Sequence, residues 1–400
     1  MNRKRVLISG ASIAGLTSAY WLQRNGFAVT IVEIAARPRS GGQAVDLRGA
    51  GREVVQRMGL LDEARELGLT QAGMSWVDAE SRVRAAMPAD AFGGEGFISE
   101  IEILRGDLVE LLHCRLREDV EWIFGDTITG LAQDAHGVNV TFRGMPQRRF
   151  DFVIGADGLH STVRTIAFGM EDEAVHPLGL YTAWFTAPAF DGLDDWYQLY
   201  NHRGGLVASI RPGRRPEESK AALSFRTRPG VRVSYDRRDR ASQLALLEDR
   251  FAGVGWHVPR LLEAAHSASD FSFDSMGKVR MSRWWIGRIA LVGDAAACPT
   301  PLSGLGTSVA LVGAYVLAGE LGGGDDHATG FAEYDRVVRP YADGAQELAG
   351  GAGGYAPMTA PAIRLMQASM AWAMRWPMRG FMQKQFSKSA DIELPRYAEA

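Results

Sequence analysis

A glycine turn near the start of the chain constrains the fold more than any other stretch. The apolar run 6–9 leads into Gly10-Ala11-Ser12-Ile13-Ala14-Gly15, and residues 16–25 have the composition of a helix. A second, β-branched run over 29–32 ends at Glu33. This order predicts a strand, a tight turn, a helix and a second strand, an arrangement that binds a dinucleotide.

The residues of this unit have distinct physical roles. Gly10 allows the turn, and Gly15 lets the helix and the strand pack closely. The helix N-terminus offers free amides and a positive dipole end to a pyrophosphate. Glu33, eighteen residues after Gly15, lies where a carboxylate accepts hydrogen bonds from ribose hydroxyls.

Ser12 stands where the usual fingerprint has its middle glycine. Serine is small, and its hydroxyl could donate to a phosphate oxygen. The alternative interpretation is an ordinary buried βαβ unit that binds no nucleotide. The fingerprint also does not distinguish FAD from NAD.

Length and composition exclude several classes of protein. A chain of 400 residues suits two closely joined domains, and 46% hydrophobic with 23% charged residues is typical of a soluble globular protein. The net charge of −3 argues against nucleic acid as the main partner. Cys114 and Cys298 provide neither a disulfide framework nor the spacing of metal ligands.

The start of the chain and its hydropathy predict a cytoplasmic protein. The first predicted core strand begins almost at the first residue, which leaves no room for a signal peptide. No run reaches the roughly 18 apolar residues that a membrane-spanning helix needs. The last predicted helix, about 360–386, is rich in Met and Trp, and we expect it to lie across both domains rather than on a membrane.

The remainder of the chain divides by pattern. Residues 36–51 are polar and glycine-rich, so we expect a loop that covers a site. Residues 53–67 have helical spacing, and Arg105 opens another helix. Between about 176 and 280 the pattern predicts antiparallel strands interrupted by one helix, 241–251.

Two further turns follow predicted strands. Residues 150–154 lead into Asp157-Gly158, followed by Ser161 and Arg164. Residues 288–292 lead into Gly293-Asp294-Ala295-Ala296, then Pro301 and Gly304-Leu305-Gly306, and a helix over 307–321. The turn Gly304-Leu305-Gly306 leads directly into the N-terminus of that helix. It therefore predicts a second helix end that favours a bound anion.

These three turns, in this order, resemble those of the single-component, FAD-dependent aromatic hydroxylases, the fold of para-hydroxybenzoate hydroxylase. The chain is most similar to the shorter branch that includes tetracycline-inactivating monooxygenases. The similarity covers about residues 1–345, although the middle sheet matches by pattern rather than by motif.

The expected architecture is therefore α/β, or α+β overall. A Rossmann-like FAD-binding domain is interleaved with an antiparallel-sheet substrate domain and followed by a C-terminal helix. The predicted ranges are 1–73, 101–175 and 276–350 for the FAD-binding domain, 74–100 and 176–275 for the substrate domain, and 355–387 for the helix.

The resemblance implies a role for each matching residue, and no metal ligand. The implied cofactor-binding residues are Gly10, Ser12, Ile13, Ala14, Gly15, Glu33, Arg48, Arg105, Asp157, Asp294, Pro301, Gly304, Leu305 and Gly306. Arg105 is expected along the ribityl-pyrophosphate, and Asp157 serves both FAD and the nicotinamide cofactor. Asp294 takes a ribityl hydroxyl. The implied catalytic residues are Pro301, beside the reactive flavin carbon, and Arg48, in the loop that faces the flavin.

Two positions depart from the family pattern. Ala297 stands where the family usually has His, and Ser308 where it usually has Asn. Neither departure removes the FAD site. The resemblance supplies no substrate base, and His160, His202 and His257 are candidates only.

The implied activity is insertion of one oxygen atom from O2 into an aromatic or polycyclic small molecule, by hydroxylation through a flavin C4a-hydroperoxide. NAD(P)H is a transient co-substrate, because the chain has no second strand–glycine–helix motif to hold it. Such an enzyme could serve natural-product biosynthesis or antibiotic inactivation. Baeyer–Villiger insertion, a flavin-dependent reductase, and a non-redox flavin-bound cyclase or ligand-binding protein remain alternatives. A monomer and a homodimer are both compatible with the sequence.

Overall fold

The computed structural model describes residues 3–37, 42–91, 99–169, 174–324, 326–347, 351–375 and 392–397. Its strands are β1 Arg5–Ser9, β2 Ala28–Glu33, β3 Ala44–Leu47, β4 Gly73–Val77, β5 Val83–Pro88, β6 Ile101–Leu104, β7 Glu121–Phe124, β8 Ile128–Asp134, β9 Gly137–Phe142, β10 Arg148–Phe150, β11 Phe152–Gly155, β12 Val175–Pro188, β13 Trp196–His202, β14 Leu206–Pro212, β15 Glu218–Arg226, β16 Ser272–Val279, β17 Trp285–Ile286 and β18 Ile289–Leu291. Its helices are α1 Ile13–Arg24, α2 Gly49–Arg57, α3 Leu61–Glu66, α4 Arg105–Cys114, α5 Thr162–Phe168, α6 Arg240–Phe251, α7 Val258–Ser267, α8 Asp294–Ala297, α9 Gly306–Gly322, α10 His327–Glu347, α11 Gly351–Tyr355 and α12 Ala360–Ala373.

A six-stranded sheet carries the three glycine-rich turns. Its strand order is β17-β18-β11-β1-β2-β7, and β18, β11, β1, β2 and β7 run parallel. Parallel strands bring their carboxyl ends to one edge of a sheet, where open α/β sheets bind their ligands. The turns after β1, β11 and β18 therefore meet at that edge, although they lie far apart along the chain.

Helix α9 lies at the centre of this part of the molecule. It packs against α1, α2 and α10, and nearly all its residues are buried. Its sequence is rich in Ala, Val and Gly on every side, as expected for a helix enclosed by protein. Its N-terminus thereby reaches the same edge of the sheet as the turn before α1.

A seven-stranded sheet of order β16-β12-β15-β14-β13-β4-β5 forms the second core. Alternate residues of its strands point to opposite faces. One face packs against α6 and α7 and includes Tyr181, Phe185 and Phe225. The other face packs against α11 and α12, so it lies under the C-terminal helices.

Three local predictions are wrong. The predicted helix 53–67 is two helices, α2 and α3, because Gly59 adopts a φ of +69° and ends the first. The middle region contains two helices, α6 and α7, not one. The segment 36–51 is not all loop, since β3 pairs there with β6 in an antiparallel two-stranded sheet.

The C-terminal part lies over both cores. Helix α12 covers the seven-stranded sheet, and the predicted extension of this helix beyond residue 375 lies outside the described residues. Residues 392–397 contact the core around the six-stranded sheet, where Arg57 of α2 donates a hydrogen bond of 2.7 Å to the carbonyl oxygen of Pro395. Within the described ranges, no helix combines the length and apolar character needed to cross a membrane.

Candidate active site

One cavity of about 650 Å³ opens where the carboxyl ends of β1, β2 and β11 meet the N-termini of α1 and α9. Its volume falls in the range of small-molecule sites. The predicted site residues that line it are Gly10, Ser12, Ile13, Ala14, Glu33, Arg105, Asp157, Asp294, Pro301, Gly304 and Gly306. All three glycine-rich turns thus face a single cavity.

The first turn leaves no room for side chains at its two glycines. Gly10 has a φ of +105°, and a Cβ there would lie 2.5 Å from the carbonyl oxygen of Ala156. A Cβ on Gly15 would lie 1.9 Å from the carbonyl oxygen of Gly10. Gly15 does not line the cavity, so its role is the close packing of helix and turn.

Glu33 is fixed against this turn. Its carboxylate accepts a hydrogen bond of 2.9 Å from the N–H of Ala11 and another of 2.9 Å from the N–H of Ala35. Each carboxylate oxygen can accept further hydrogen bonds. The carboxylate therefore stands at the cavity wall, able to accept hydrogen bonds from a bound hydroxyl.

Arg105 brings a positive charge to the same turn. Its Nη1 donates a hydrogen bond of 3.1 Å to Oγ of Ser12, the residue that precedes α1. Arg105 is also the first residue of α4, where the helix dipole disfavours a cation. An anion bound beside Ser12 would offset this unfavourable interaction.

The second turn is held by its own hydrogen bonds. Asp157 accepts hydrogen bonds from Oγ of Ser161 and from the N–H of Val163 at 3.1 Å. Burial raises the pKa of Asp157, and these hydrogen bonds oppose that shift. The fully buried Arg164 donates a 3.0 Å hydrogen bond to the carbonyl oxygen of Ala295, which ties the second turn to the third.

The third turn combines buried polar groups with a strained backbone. Burial raises the pKa of Asp294, and a hydrogen bond with Cys298 opposes this shift. Thr300 adopts a φ of +83°, which is rare for a β-branched residue. Gly304 follows with a φ of +67°, and a Cβ there would lie 2.6 Å from Oδ2 of Asp46. The turn therefore packs tightly against β3.

The comparisons with known proteins identify the family. A sequence profile described as an FAD binding domain matches residues 3–347. The chain belongs to this FAD-binding-domain family. Its cofactor is FAD, with NAD(P)H as the transient co-substrate typical of the family.

Two relatives align with most of this chain. An uncharacterized protein of Mycobacterium tuberculosis (strain ATCC 25618 / H37Rv) is 46% identical over 333 residues, or 83% of this chain and 88% of the relative. A flavin-dependent monooxygenase of Legionella longbeachae serogroup 1 (strain NSW150) is 36% identical over 345 residues, or 86% of this chain and 87% of the relative.

A solved structure agrees with these relatives. The crystal structure of the tetracycline destructase Tet(51) superimposes with a TM-score of 0.83 at 30% identity, and the match covers 99% of this chain and 100% of that chain. The predicted resemblance, the fold and the activity class are confirmed. The protein is an FAD-dependent monooxygenase.

The cavity of this FAD-binding-domain protein has the groups that FAD requires. One end provides a helix N-terminus, a carboxylate and the guanidinium of Arg105, which suit a pyrophosphate and a ribose. The other end provides the N-terminus of α9. Among the described residues, a Cβ added to Gly306 would approach only Pro299 and Asp294, at 3.9 and 4.0 Å, so the Gly306 backbone is open to a bound ring.

Sequence reasoning missed several lining residues. Asp126 and Thr127 follow β7, whose carboxyl end lies beside that of β2. The available signal was the pair Gly125-Asp126 directly after the mainly apolar run 120–124. Asp46 also lines the cavity, and it lies in β3, the strand that the sequence did not predict. Arg48 and Leu305 do not line it; Arg48 is buried, and its Nη2 lies 3.1 Å from Oδ2 of Asp46.

An apolar region adjoins the third turn. Leu302 packs with the face of the seven-stranded sheet that bears Trp184 and Tyr197, and Met366 and Met370 of α12 cover that face. Two other aromatic residues of the middle sheet, Tyr181 and Phe225, pack on the opposite face instead.

Proposed function

We propose that this monooxygenase binds FAD along the cavity and hydroxylates an aromatic or polycyclic small molecule held between the third turn and the seven-stranded sheet. The AMP half of FAD is assigned to Gly10–Gly15 and Glu33, and the isoalloxazine ring to Pro301–Gly306. The observation that carries this proposal is the convergence of three distant glycine-rich turns on one cavity.

We assign a role to each of the remaining predicted site residues. Arg105 binds the pyrophosphate or ribityl group, Asp294 accepts a hydrogen bond from a ribityl hydroxyl, and Asp157 serves FAD and NAD(P)H. Pro301, the first residue of the single 3-10 turn Pro301–Ser303, has no N–H to donate and is assigned to the flavin. Arg48 is assigned a position behind Gly304, on the side away from the flavin. The Cζ atom of Arg48 lies 3.4 Å from where a Cβ on Gly304 would be.

Under this proposal the two sheets bind different molecules. The segments 1–73, 101–175 and 276–350 bind the cofactor, the segments 74–100 and 176–275 bind the substrate, and the helix within 355–387 covers the substrate. The apolar face beside Leu302 supports a planar, largely apolar substrate. The destructase with the same fold acts, by its name, on tetracycline.

The protein residues supply binding, position and electrostatics. When bound, FAD supplies hydride acceptance from NAD(P)H and the activation of O2. The N-terminus of α9 favours negative charge at the ring. Met366 and Met370 of α12 are half-buried against the sheet face beside Leu302, so they would reduce the access of water to a substrate bound there.

Asp294→Ala provides the test of the site. We expect the purified wild-type protein to be yellow and the variant to lose FAD, since the cavity loses its acceptor at the third turn. Asp335→Ala is a matched control, because Asp335 is a half-buried aspartate of the same domain that pairs with Arg339 in α10, away from the cavity. A variant with full FAD occupancy and unchanged activity would refute the assignment.

A ligand screen tests the substrate class. Aromatic and polycyclic compounds are scored by faster NAD(P)H-dependent flavin reduction and by stoichiometric O2 uptake. Oxygen uptake coupled to product formation supports hydroxylation, whereas alkene reduction without O2 uptake supports a reductase. NAD(P)H consumption that no ligand changes contradicts a substrate-gated monooxygenase.

A further inference from the structure

Two carboxyl groups face each other beside the proposed isoalloxazine site. Asp46 of β3 and Glu102 of β6 are directly opposite in an antiparallel pair, so their side chains lie on the same face of that small sheet. Asp46 lines the cavity and packs against Gly304. Glu102 lies behind it and is 6% exposed.

Side chains of directly opposite residues in an antiparallel pair are close neighbours, with Cβ atoms about 4.5–5.5 Å apart, so the two carboxyl groups lie next to each other. Carboxylates only accept hydrogen bonds, so two neighbouring carboxyl groups can share a hydrogen bond only when one of them carries a proton. A like charge at this distance disfavours ionisation of the second group. The geometry of the pair therefore favours a state that holds one proton.

Two arginines flank the pair on its outer sides. Nη2 of Arg48 lies 3.1 Å from Oδ2 of Asp46, and Nη2 of Arg211 donates a hydrogen bond to Glu102. With both carboxyl groups ionised, these four side chains are neutral in sum. With one proton on the pair, the cluster carries a charge of +1 beside the cavity.

The other groups around the pair do not titrate near neutral pH. The side-chain carbonyl of Gln71 accepts from Arg211, and the N–H of Ser99 lies 3.3 Å from Oδ1 of Asp46. Arg211 lies over the ring of Tyr197, 5.1 Å from its centroid, and burial raises the pKa of Tyr197 above its usual value.

The electrostatics agree with the geometry. The pKa of Glu102 is raised to about 7, because burial disfavours its charge and Asp46 adds to that effect, while Arg211 opposes it. Glu102 thus changes its protonation near neutral pH, where an exposed glutamic acid is ionised.

We propose that Asp46 and Glu102 store one proton at the isoalloxazine end of the cavity and exchange it with the group bound there. Asp46 is the member that touches that group, and Glu102 is the positioning residue that retains the proton. When the pair gives up its proton, an O–H bond of the pair breaks and the proton bonds to an oxygen or nitrogen of the bound group. The two carboxylates that remain are neutralised by Arg48 and Arg211. This proposal rests on the proposed function, because it assumes FAD at Pro301–Gly306.

Infrared spectroscopy of the whole chain, with and without FAD, tests the pair directly. The wild type should show the C=O stretch of a protonated carboxyl group that disappears as the pH rises through about 7, close to the value for Glu102. Glu102→Gln and Asp46→Asn should each lose this band. Both variants keep a hydrogen-bonding side chain of the same size, so the fold should survive.

Glu218→Gln is the matched control, since Glu218 also pairs with an arginine, Arg215, at the start of β15. It should keep the band. A band that survives in both Glu102→Gln and Asp46→Asn, or that is absent from folded wild-type protein at pH about 6, would overturn the proposal.

The reduction potential of bound FAD supplies a second readout. If reduction adds negative charge at the ring, the pair retains its proton to higher pH in the reduced protein. The wild-type potential should then fall more steeply with pH above about 7 than the potential of Glu102→Gln. If FAD is bound and the potentials of the two proteins change equally with pH, the proposal for the carboxyl pair is refuted but the proposed function is not. If the wild type binds no FAD, the proposed function is refuted, and the infrared result alone decides whether the pair holds a proton.

Discussion

The guanidinium of Arg105 donates a hydrogen bond of 3.1 Å to Oγ of Ser12 and so joins two segments separated by 93 positions. Ser12 lies at the N-terminus of α1, and Arg105 is the first residue of α4. The contact places a cation beside a helix end that itself favours anions. The serine that departs from the usual glycine pattern therefore contacts a charged side chain at the cavity wall.

Removal of this cation should weaken FAD binding. Arg105→Met loses a charge-assisted hydrogen bond, which predicts a dissociation constant raised about 10- to 100-fold. Fluorescence titration of the apoprotein with FAD measures this change. Arg115→Met is the control, because Arg115 follows the same helix at its other end and pairs with Glu63. Equal affinities of both variants would show that Arg105 does not contact the cofactor.

The side chain of Ser12 should be dispensable, but its small size should not. Its hydroxyl makes no capping hydrogen bond to α1, so Ser12→Gly should change thermal stability little and FAD affinity by less than about threefold. Ser12→Leu fills the cavity wall and should reduce affinity more than about tenfold. Tight binding by the leucine variant would place the pyrophosphate elsewhere.

The close approach at Gly15 predicts a large effect on stability. A methyl group there would lie 1.9 Å from a backbone oxygen, so Gly15→Ala should lower the free energy of unfolding by at least about 2 kcal/mol. Gly344→Ala offers the opposite case, because its Cβ would meet no atom of the described residues within 4 Å in α10. That variant should gain about 0.5–1 kcal/mol in urea unfolding. A neutral Gly15→Ala would mean that α1 and its turn are further apart.

The stability of the wild type should fall as the pH rises from about 5 to about 7 relative to Glu102→Gln. Since the pKa of Glu102 is raised to about 7, the folded protein holds a proton that the unfolded chain has lost. The folded state then binds more protons, so the free energy of unfolding decreases with pH. The expected difference, on the order of 2 kcal/mol, is measured by urea unfolding at several pH values. Parallel curves for the two proteins would show that Glu102 is ionised throughout.

Local sequence patterns predicted the βαβ unit, the helix after the third turn and the strand-end positions of Asp157 and Asp294. These features are encoded by residues close together in the chain, whose glycine spacing and apolar periodicity have direct structural consequences. The family followed from the order of three such turns. By contrast, β3 and β6 are separated by more than fifty positions and are short, so no local pattern indicated their pairing.

The sequence by itself determined which turns exist, which helices follow them and which cofactor they suit. Only the tertiary structure decided that Asp46 faces Glu102, that Arg105 reaches Ser12 and that Trp184 and Phe225 pack on opposite faces of one sheet. The reason is physical. Turns and helix ends depend on the backbone conformation of neighbouring residues, whereas a buried charge pair depends on the packing of segments that sequence proximity does not bring together.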